Sequence, residues 1–336
     1  MRRALLGFAV FASRASGRVV ASRARGRAVV TPAKGKGRYG NALFEYGSCY
    51  AIALAANASF AADAGQKFCR THAAGTAGCG NAIPVEPSKY LANRIWWDGR
   101  QVAAEVARVR AAARARRPTV FECSGYRQSA SYFANDPSLA AKVRGEFLRW
   151  LPSTTSRADA LWSRRVLPAA AALRATTGEN ETFFVALYHR SGDAYSEHGN
   201  PYRNCLPDAA FYDRAVRRFR AAFGPAVNIV YVTSNHTENW RDLLEPAVGR
   251  DTRATLVAVD DPQNPQATLA ALARCDAATF SHGTYSWWVA FLTGGRVLYD
   301  PGPWLSSACK VSQKGTKDPR VSLREHVPRA WVPLPA

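Results

Sequence analysis

The sequence predicts an α/β protein of two parallel-sheet domains, and three observations carry that expectation. From residue 182 onward, short apolar runs alternate with helix-length segments, the pattern of parallel strands joined by crossover helices. Near the start, RAVVT (Arg27–Thr31) leads through a glycine-rich turn into a helix-forming run from about Asn41. Third, CDAATFSHGTYSWWVAFLTGGRVLY (Cys275–Tyr299) compresses strand, small-residue turn, all-apolar helix and strand into one βαβ unit.

Taken in order, residues 61–100 read as loop-rich and residues 102–117 as a basic helix with a solvated arginine face. Pro137 to Trp150 form an amphipathic helix stopped by Pro152, and a helix over about 158–175 is expected to kink at Pro168. ATTGEN (175–180) is the best linker. Beyond it, strands are expected at 182–188, 228–233, 256–259, 277–280 and 296–299. Helices are expected at 208–223, 237–244 and 265–274, and a buried one through Trp287–Leu292 ended by Gly294-Gly295. The division that follows is a tail over 1–26, a first α/β domain over 27–177, a Rossmann-like domain over 178–310 and a C-terminal tail over 311–336.

The 336 residues carry a formal charge of +20, from 45 basic and 25 acidic side chains. Residues 1–36 hold nine Lys/Arg and no acid, and the rest keeps an excess that favours phosphate-bearing partners. Nucleic acid is set aside as a partner: there is no zinc-finger spacing, no RNP-like aromatic motif and no basic run interleaved with aromatics. The nine-residue apolar run ALLGFAVFA after MRR is too short to cross a bilayer. It fits a signal peptide, and the acid-free stretch behind it equally suits an organellar transit peptide. Seven cysteines lack metal spacing, and three sequons begin at Asn57, Asn180 and Asn235. Together they permit a secretory-pathway protein with one or two disulfides, Cys69–Cys79 being a plausible short loop.

Loops after the carboxyl ends of parallel strands are where such a sheet binds ligands. In HRSGDAY (His189–Tyr195), Arg190 suits bidentate contact with a diphosphate while Asp193 holds the loop; the plainer reading is that the two pair with each other. In TSNHTENW, Ser234 and Asn235 either bind a base or sugar or cap the next helix. In SHGTYS, Gly283, Thr284 and Ser286 offer backbone N–H groups and hydroxyls to an anion at a helix N-terminus. Asp260, Asp261 and Asp300 are not distinctively spaced for a cation, and no Walker lysine is present. Side chains and a helix end must then neutralise the diphosphate, which points to a metal-independent transfer with no cofactor.

With those loops read, residues 35–305 resemble glycosyltransferase family 11, the α-1,2-fucosyltransferases. GRYGN (Gly37–Asn41) is similar to the family's GxGNQ motif, with Ala42 for Gln. HRSGDAY is similar to HxRRGDY, with Arg190 on the first Arg, Ser191 for the second and Tyr188 for the His. PDAAFYDRA (207–215) carries the paired aromatics as Phe211 and Tyr212, TSNHTENW follows SDDxxW, and CDAATFSHGTYSWWVAFLTGG follows CDxxxxSxGTFGWWxAxLxGG almost throughout. The resemblance implies a GT-B-like, metal-independent, inverting enzyme: two Rossmann-like domains facing a cleft, moving L-fucose from GDP-L-fucose to a galactose-terminated glycan. Arg190 would stabilise charge on the leaving phosphate, and Asp193 is the least poor candidate for a base. Gly40, Asn41, Ser234, Asn235, Asp276, Gly283, Thr284, Tyr285 and Ser286 would bind the donor, Gly40 and Asn41 by shaping the donor–acceptor interface. A Golgi or secretory location with membrane association through the N-terminus is the matching expectation, an organellar one its alternative. The rival functions are a non-catalytic carbohydrate-binding relative and a fucosyltransferase of another linkage or with a protein acceptor.

Overall fold

The computed structural model describes residues 28–33, 39–62, 69, 89–92, 101–115, 119–125, 127–189, 205–234, 240–309 and 319–335. Two all-parallel sheets organise them. The first has the order β2-β1-β4-β3, with β1 (Ala28–Pro32), β2 (Ser59–Phe60), β3 (Lys89–Ala92) and β4 (Thr119–Ser124). The second has the order β10-β9-β8-β5-β6-β7, with β5 (Thr182–Ala186), β6 (Asn228–Thr233), β7 (Ala254–Ala258), β8 (Ala277–Phe280), β9 (Arg296–Tyr299) and β10 (Val332–Pro333). The α/β, GT-B-like architecture expected from the sequence is thus the observed one.

The local chemistry accounts for most of the elements. β6 (NIVYVT) is buried at every position, so an unbroken apolar run reads as a strand covered on both faces. Asp208 caps the helix Ala209–Phe223 by accepting the Phe211 N–H at 2.9 Å, and Gly224 with φ 103° ends it. The distortion expected at Pro168 takes the form of a break in the helical run just before it. The proline ring would strike the carbonyl of residue 164, and the chain relieves this with a wide π-turn over Trp162–Val166 between the helices Pro152–Leu161 and Leu167–Thr177.

This helical segment packs on the second sheet. Arg157 pairs with Asp261 at 3.0 Å, Arg274 pairs with Asp159, and Trp162 lies 5.2 Å from the Phe184 ring. The C-terminal residues are also more than a tail. β10 extends the second sheet, and the helix Pro319–His326 returns to the first domain, where the Glu325 carboxylate accepts from the Ser129 and Ser131 hydroxyls at 3.0 and 2.9 Å.

Between the sheets lies the helix Thr284–Thr293, with Trp287 and Trp288 fully buried. Phe44 of the helix Tyr39–Ala56 sits 4.5 Å from Trp287, and Phe147 stacks on Trp288 at 4.6 Å. One core therefore runs from β1 and β4 through this helix to β6 and β8. A disulfide not foreseen from spacing joins Cys205 to Cys309, 104 residues apart, while Cys49, Cys123 and Cys275 are buried free thiols. Cys69 is disulfide-bonded, and its expected partner Cys79 lies outside the described residues. No helix among the described residues is long and apolar enough to cross a membrane. Asn57 and Asn180 are exposed, and Asn235 lies outside the described residues.

Candidate functional site

The strand order of each sheet reverses at one place, and ligands of open α/β sheets bind in the crevice at that reversal. In the second sheet the chain runs outward through β5, β6 and β7, then returns to place β8 on the other side of β5. The crevice is thus flanked by the loop leaving β5, which enters HRSGDAY, and by the turn leaving β8, which is SHGTYS. Arg190 and Asp193 themselves, like Asn235, lie outside the described residues.

The turn after β8 is built for an open helix end. His282 and Gly283 both have positive φ, 134° and 85°, a conformation costly for the histidine and typical of functional turns. Gly283 stands at the N-cap, and no side chain caps this end of the helix Thr284–Thr293. The first-turn N–H groups and the positive end of the helix dipole are left for an anion. Ser286 is not part of that offer, contrary to expectation. Its hydroxyl accepts the Ser281 N–H at 3.0 Å and the Ser281 hydroxyl at 3.2 Å, closing the turn internally. The Tyr285 hydroxyl donates to the Pro265 carbonyl at 2.7 Å, and its ring faces Tyr188 at 5.4 Å. Burial and the neighbouring Tyr188, Tyr39 and Asp260 hold its phenol far above the ordinary range, so it remains protonated.

Two further expectations meet different fates. Ser234 ends β6 on the ligand side, and its buried hydroxyl has no hydrogen-bond partner among the described residues. Asp276 does not belong to the site. It precedes β8 at the opposite edge of the sheet, roughly 13 Å of strand away from Ser281. Its carboxylate accepts the Phe184 N–H at 2.9 Å and its N–H donates to the Phe184 carbonyl at 2.7 Å, so it fixes strand register.

Gly40 packs against the start of the helix Thr284–Thr293. A Cβ on this residue would lie 2.7 Å from Thr284 Oγ1, 2.8 Å from Tyr285 N and 2.9 Å from Thr284 C. Its carbonyl accepts the Trp288 indole N–H at 3.1 Å. Asn41 follows directly. Ala42, at the position of the resembled Gln, is buried within the helix, and the amide nearest Asn41 comes instead from Gln128, whose Nε2 donates to Asn41 Oδ1 at 2.9 Å.

Besides His282 in the turn itself, His189 and His326 are buried among the described residues. His189 Nδ1 lies 2.7 Å from the Tyr212 hydroxyl, which gives the second aromatic of the PDAAFYDRA helix a role beyond packing. His326 Nδ1 donates to the Gln128 carbonyl at 2.8 Å. Burial pulls both pKa values from 6.5 to about 4. In the unfolded chain both protonate near 6.5, so between about 6.5 and 4 the unfolded state binds more protons. Stability is therefore flat above neutrality and falls as pH drops through that window, by on the order of 3 kcal/mol per imidazole at the acid end. Urea midpoints measured from pH 8 to 4 are expected to decline below 6.5, and an unchanged midpoint at pH 5 contradicts the assignment. Among the described residues, no group of three or more His, Cys, Asp or Glu side chains is placed to hold a metal ion.

Comparison with known proteins bears on this geometry. Residues 165–302 match the model of glycosyl transferase family 11. Galactoside alpha-(1,2)-fucosyltransferase 1 of Sus scrofa is 27% identical over 125 residues, which is 37% of this chain and 32% of that enzyme. Galactoside alpha-(1,2)-fucosyltransferase 2 of Mus musculus is 26% identical over 122 residues, 36% of this chain and 34% of that enzyme. The match thus spans about a third of the length of these relatives. Among solved structures, a variant of Arabidopsis thaliana FUT1 in complex with GDP is similar in fold, with a TM-score of 0.50 at 11% identity, covering 81% of this chain and 69% of that one. The matched stretch runs from the π-turn through β9 and contains the second sheet's crevice; over residues 165–302 the chain is similar to glycosyltransferase family 11.

Proposed function

We propose that this protein is an inverting fucosyltransferase that moves L-fucose from GDP-L-fucose to a galactose-type hydroxyl of a glycan, forming an α-1,2 linkage. The observation that carries this reading is the uncapped Gly283–Tyr285 helix end at the strand reversal between β5 and β8, within the stretch similar to family 11. The names of the mammalian relatives support the α-1,2 linkage and the galactose-type acceptor.

In the reaction, the bond from fucose C1 to the β-phosphate oxygen breaks and a bond from C1 to the acceptor oxygen forms on the opposite face. Negative charge develops on the departing diphosphate. Arg190 and the N–H groups at the start of the Thr284–Thr293 helix stabilise that charge more than they stabilise the bound donor, which is how they lower the barrier. Ser234 gives its buried hydroxyl to the nucleoside or sugar, which supplies the partner that the protein does not. The acceptor hydroxyl loses its proton to Asp193 or to solvent once C1 is attacked. Neither step calls for a metal ion. Secretory-pathway residence, with the Cys205–Cys309 disulfide formed there, fits the same reading.

The test is GDP release from GDP-fucose across a panel of galactose-terminated acceptors, with and without EDTA. Release that depends on a galactoside and survives EDTA is expected. Glycan binding without GDP release would identify a non-catalytic relative, and full loss in EDTA restored by Mn²⁺ would overturn the metal-free mechanism.

A further inference from the structure

The first sheet has a strand reversal of its own, between β1 and β4, because β3 returns to the far side of β4. Two polar side chains meet across it. Asn41 stands on the chain leaving β1 and Gln128 on the chain leaving β4, with Gln128 Nε2 donating to Asn41 Oδ1 at 2.9 Å. Among the described residues, no other hydrogen bond involves either side chain. One amide carbonyl, Gln128 Oε1, and one amide N–H₂ group, Asn41 Nδ2, therefore remain for a ligand. This pair sits next to Gly40, which touches the open helix end of the second sheet.

The placement of Gln128 is fixed from four elements. Arg127 before it holds a left-handed φ of 46°, is fully buried, and donates to both carboxylate oxygens of Glu105, at 2.8 and 2.9 Å, and to the Tyr132 hydroxyl at 3.1 Å. The Arg127 carbonyl accepts the Ser48 hydroxyl at 3.1 Å. The Gln128 carbonyl accepts from His326, and Ser129 is tied to Glu325. A strained residue so constrained persists only where its surroundings hold it, and such strain concentrates at ligand sites. The outcome of the constraint is a side-chain amide locked onto Asn41.

We propose that Gln128 is a specificity-determining residue: with Asn41 it forms a two-amide clamp that reads a pair of hydroxyls on the acceptor sugar. This rests on the fucosyl-transfer reading above. A carbonyl and an N–H₂ group side by side match two neighbouring sugar hydroxyls, one donating and one accepting. The clamp belongs to the first sheet, across the Gly40 contact from the helix end assigned to the diphosphate, which leaves it for the acceptor.

Steady-state GDP release by wild type, Gln128→Ala and Gln128→Glu tests this. Glu keeps the volume of Gln but has no donor, so Asn41 must turn its N–H₂ group inward, leaving two acceptors facing the ligand. Both variants are expected to raise acceptor KM about tenfold or more, with donor KM, GDP affinity and melting temperature close to wild type. Against monodeoxy galactosides, the wild-type preference for the hydroxyl that the clamp reads is expected to collapse in Gln128→Ala. An unchanged acceptor KM, an equal rise in donor KM, or intact discrimination among the deoxy acceptors overturns the proposal. If wild type releases no GDP with any acceptor, the transfer reading fails separately. Saturation-transfer NMR of a galactose-terminated glycan then decides, and equal binding by wild type and Gln128→Ala overturns the clamp.

Discussion

Gly40→Val is expected to lower kcat/KM for GDP release by about a hundredfold or more. Two of the three atoms a Cβ would meet are backbone, Tyr285 N at 2.8 Å and Thr284 C at 2.9 Å, so no side-chain rotation relieves the clash. The start of the Thr284–Thr293 helix must move away from the first domain. That helix end carries the N–H groups assigned to the leaving diphosphate, and displacement of reacting groups by about 1 Å is enough for a hundredfold loss. Overpacking of a shared core adds a stability cost of about 1–3 kcal/mol. The two effects separate by measuring GDP affinity and melting temperature beside turnover. Activity within about threefold of wild type would show that the contact yields and that Gly40 does not set the geometry of the helix end.

The second large effect is on stability. Glu105→Ala leaves the Arg127 guanidinium, fully buried, without its carboxylate, and an uncompensated buried charge costs about 3–5 kcal/mol. Against a total stability of about 5–15 kcal/mol, this is enough to unfold a substantial fraction of the protein. The double variant Glu105→Leu/Arg127→Met removes both charges and is expected to recover most of the melting temperature. It should still bind acceptor weakly, because the loop that presents Gln128 has lost its anchor. Full recovery of both stability and acceptor KM would show that the ion pair has no part in positioning.

How much of this was legible in the sequence follows from the range over which each feature is determined. β6 and β8 were legible because a strand buried on both faces is a continuous apolar run, β5 and β9 because their apolar residues stand together, and the Gly294 stop fixed the end of the central helix. Gly40 was legible because a glycine opening a helix next to Asn41 signals close backbone approach. β4 was not: Thr119, Glu122 and Ser124 alternate with buried residues, so no apolar run marks a strand that is nonetheless interior to its sheet. Asp276 misled because closeness in sequence to the SHGTYS turn is the full length of a strand in space. Ser286 misled because a hydroxyl at a helix start serves the turn as readily as a ligand. Gln128 carries no local signal at all. Its placement arises from contacts 87 and 198 residues away, which only the fold brings together.

The returning C-terminal helix gives this last point a practical edge. Glu325 and His326 fasten the loop that holds Gln128, yet they lie beyond residue 302, where the family likeness ends. Trp331 closes the same region against Phe280 at 5.3 Å and Trp287 at 5.5 Å. The stretch recognisable by kinship and the stretch that keeps the cleft in working order thus have different borders. A chain cut at residue 302 would keep the strand reversal of the second sheet and lose the contacts of Glu325 and His326 with the loop that carries Gln128.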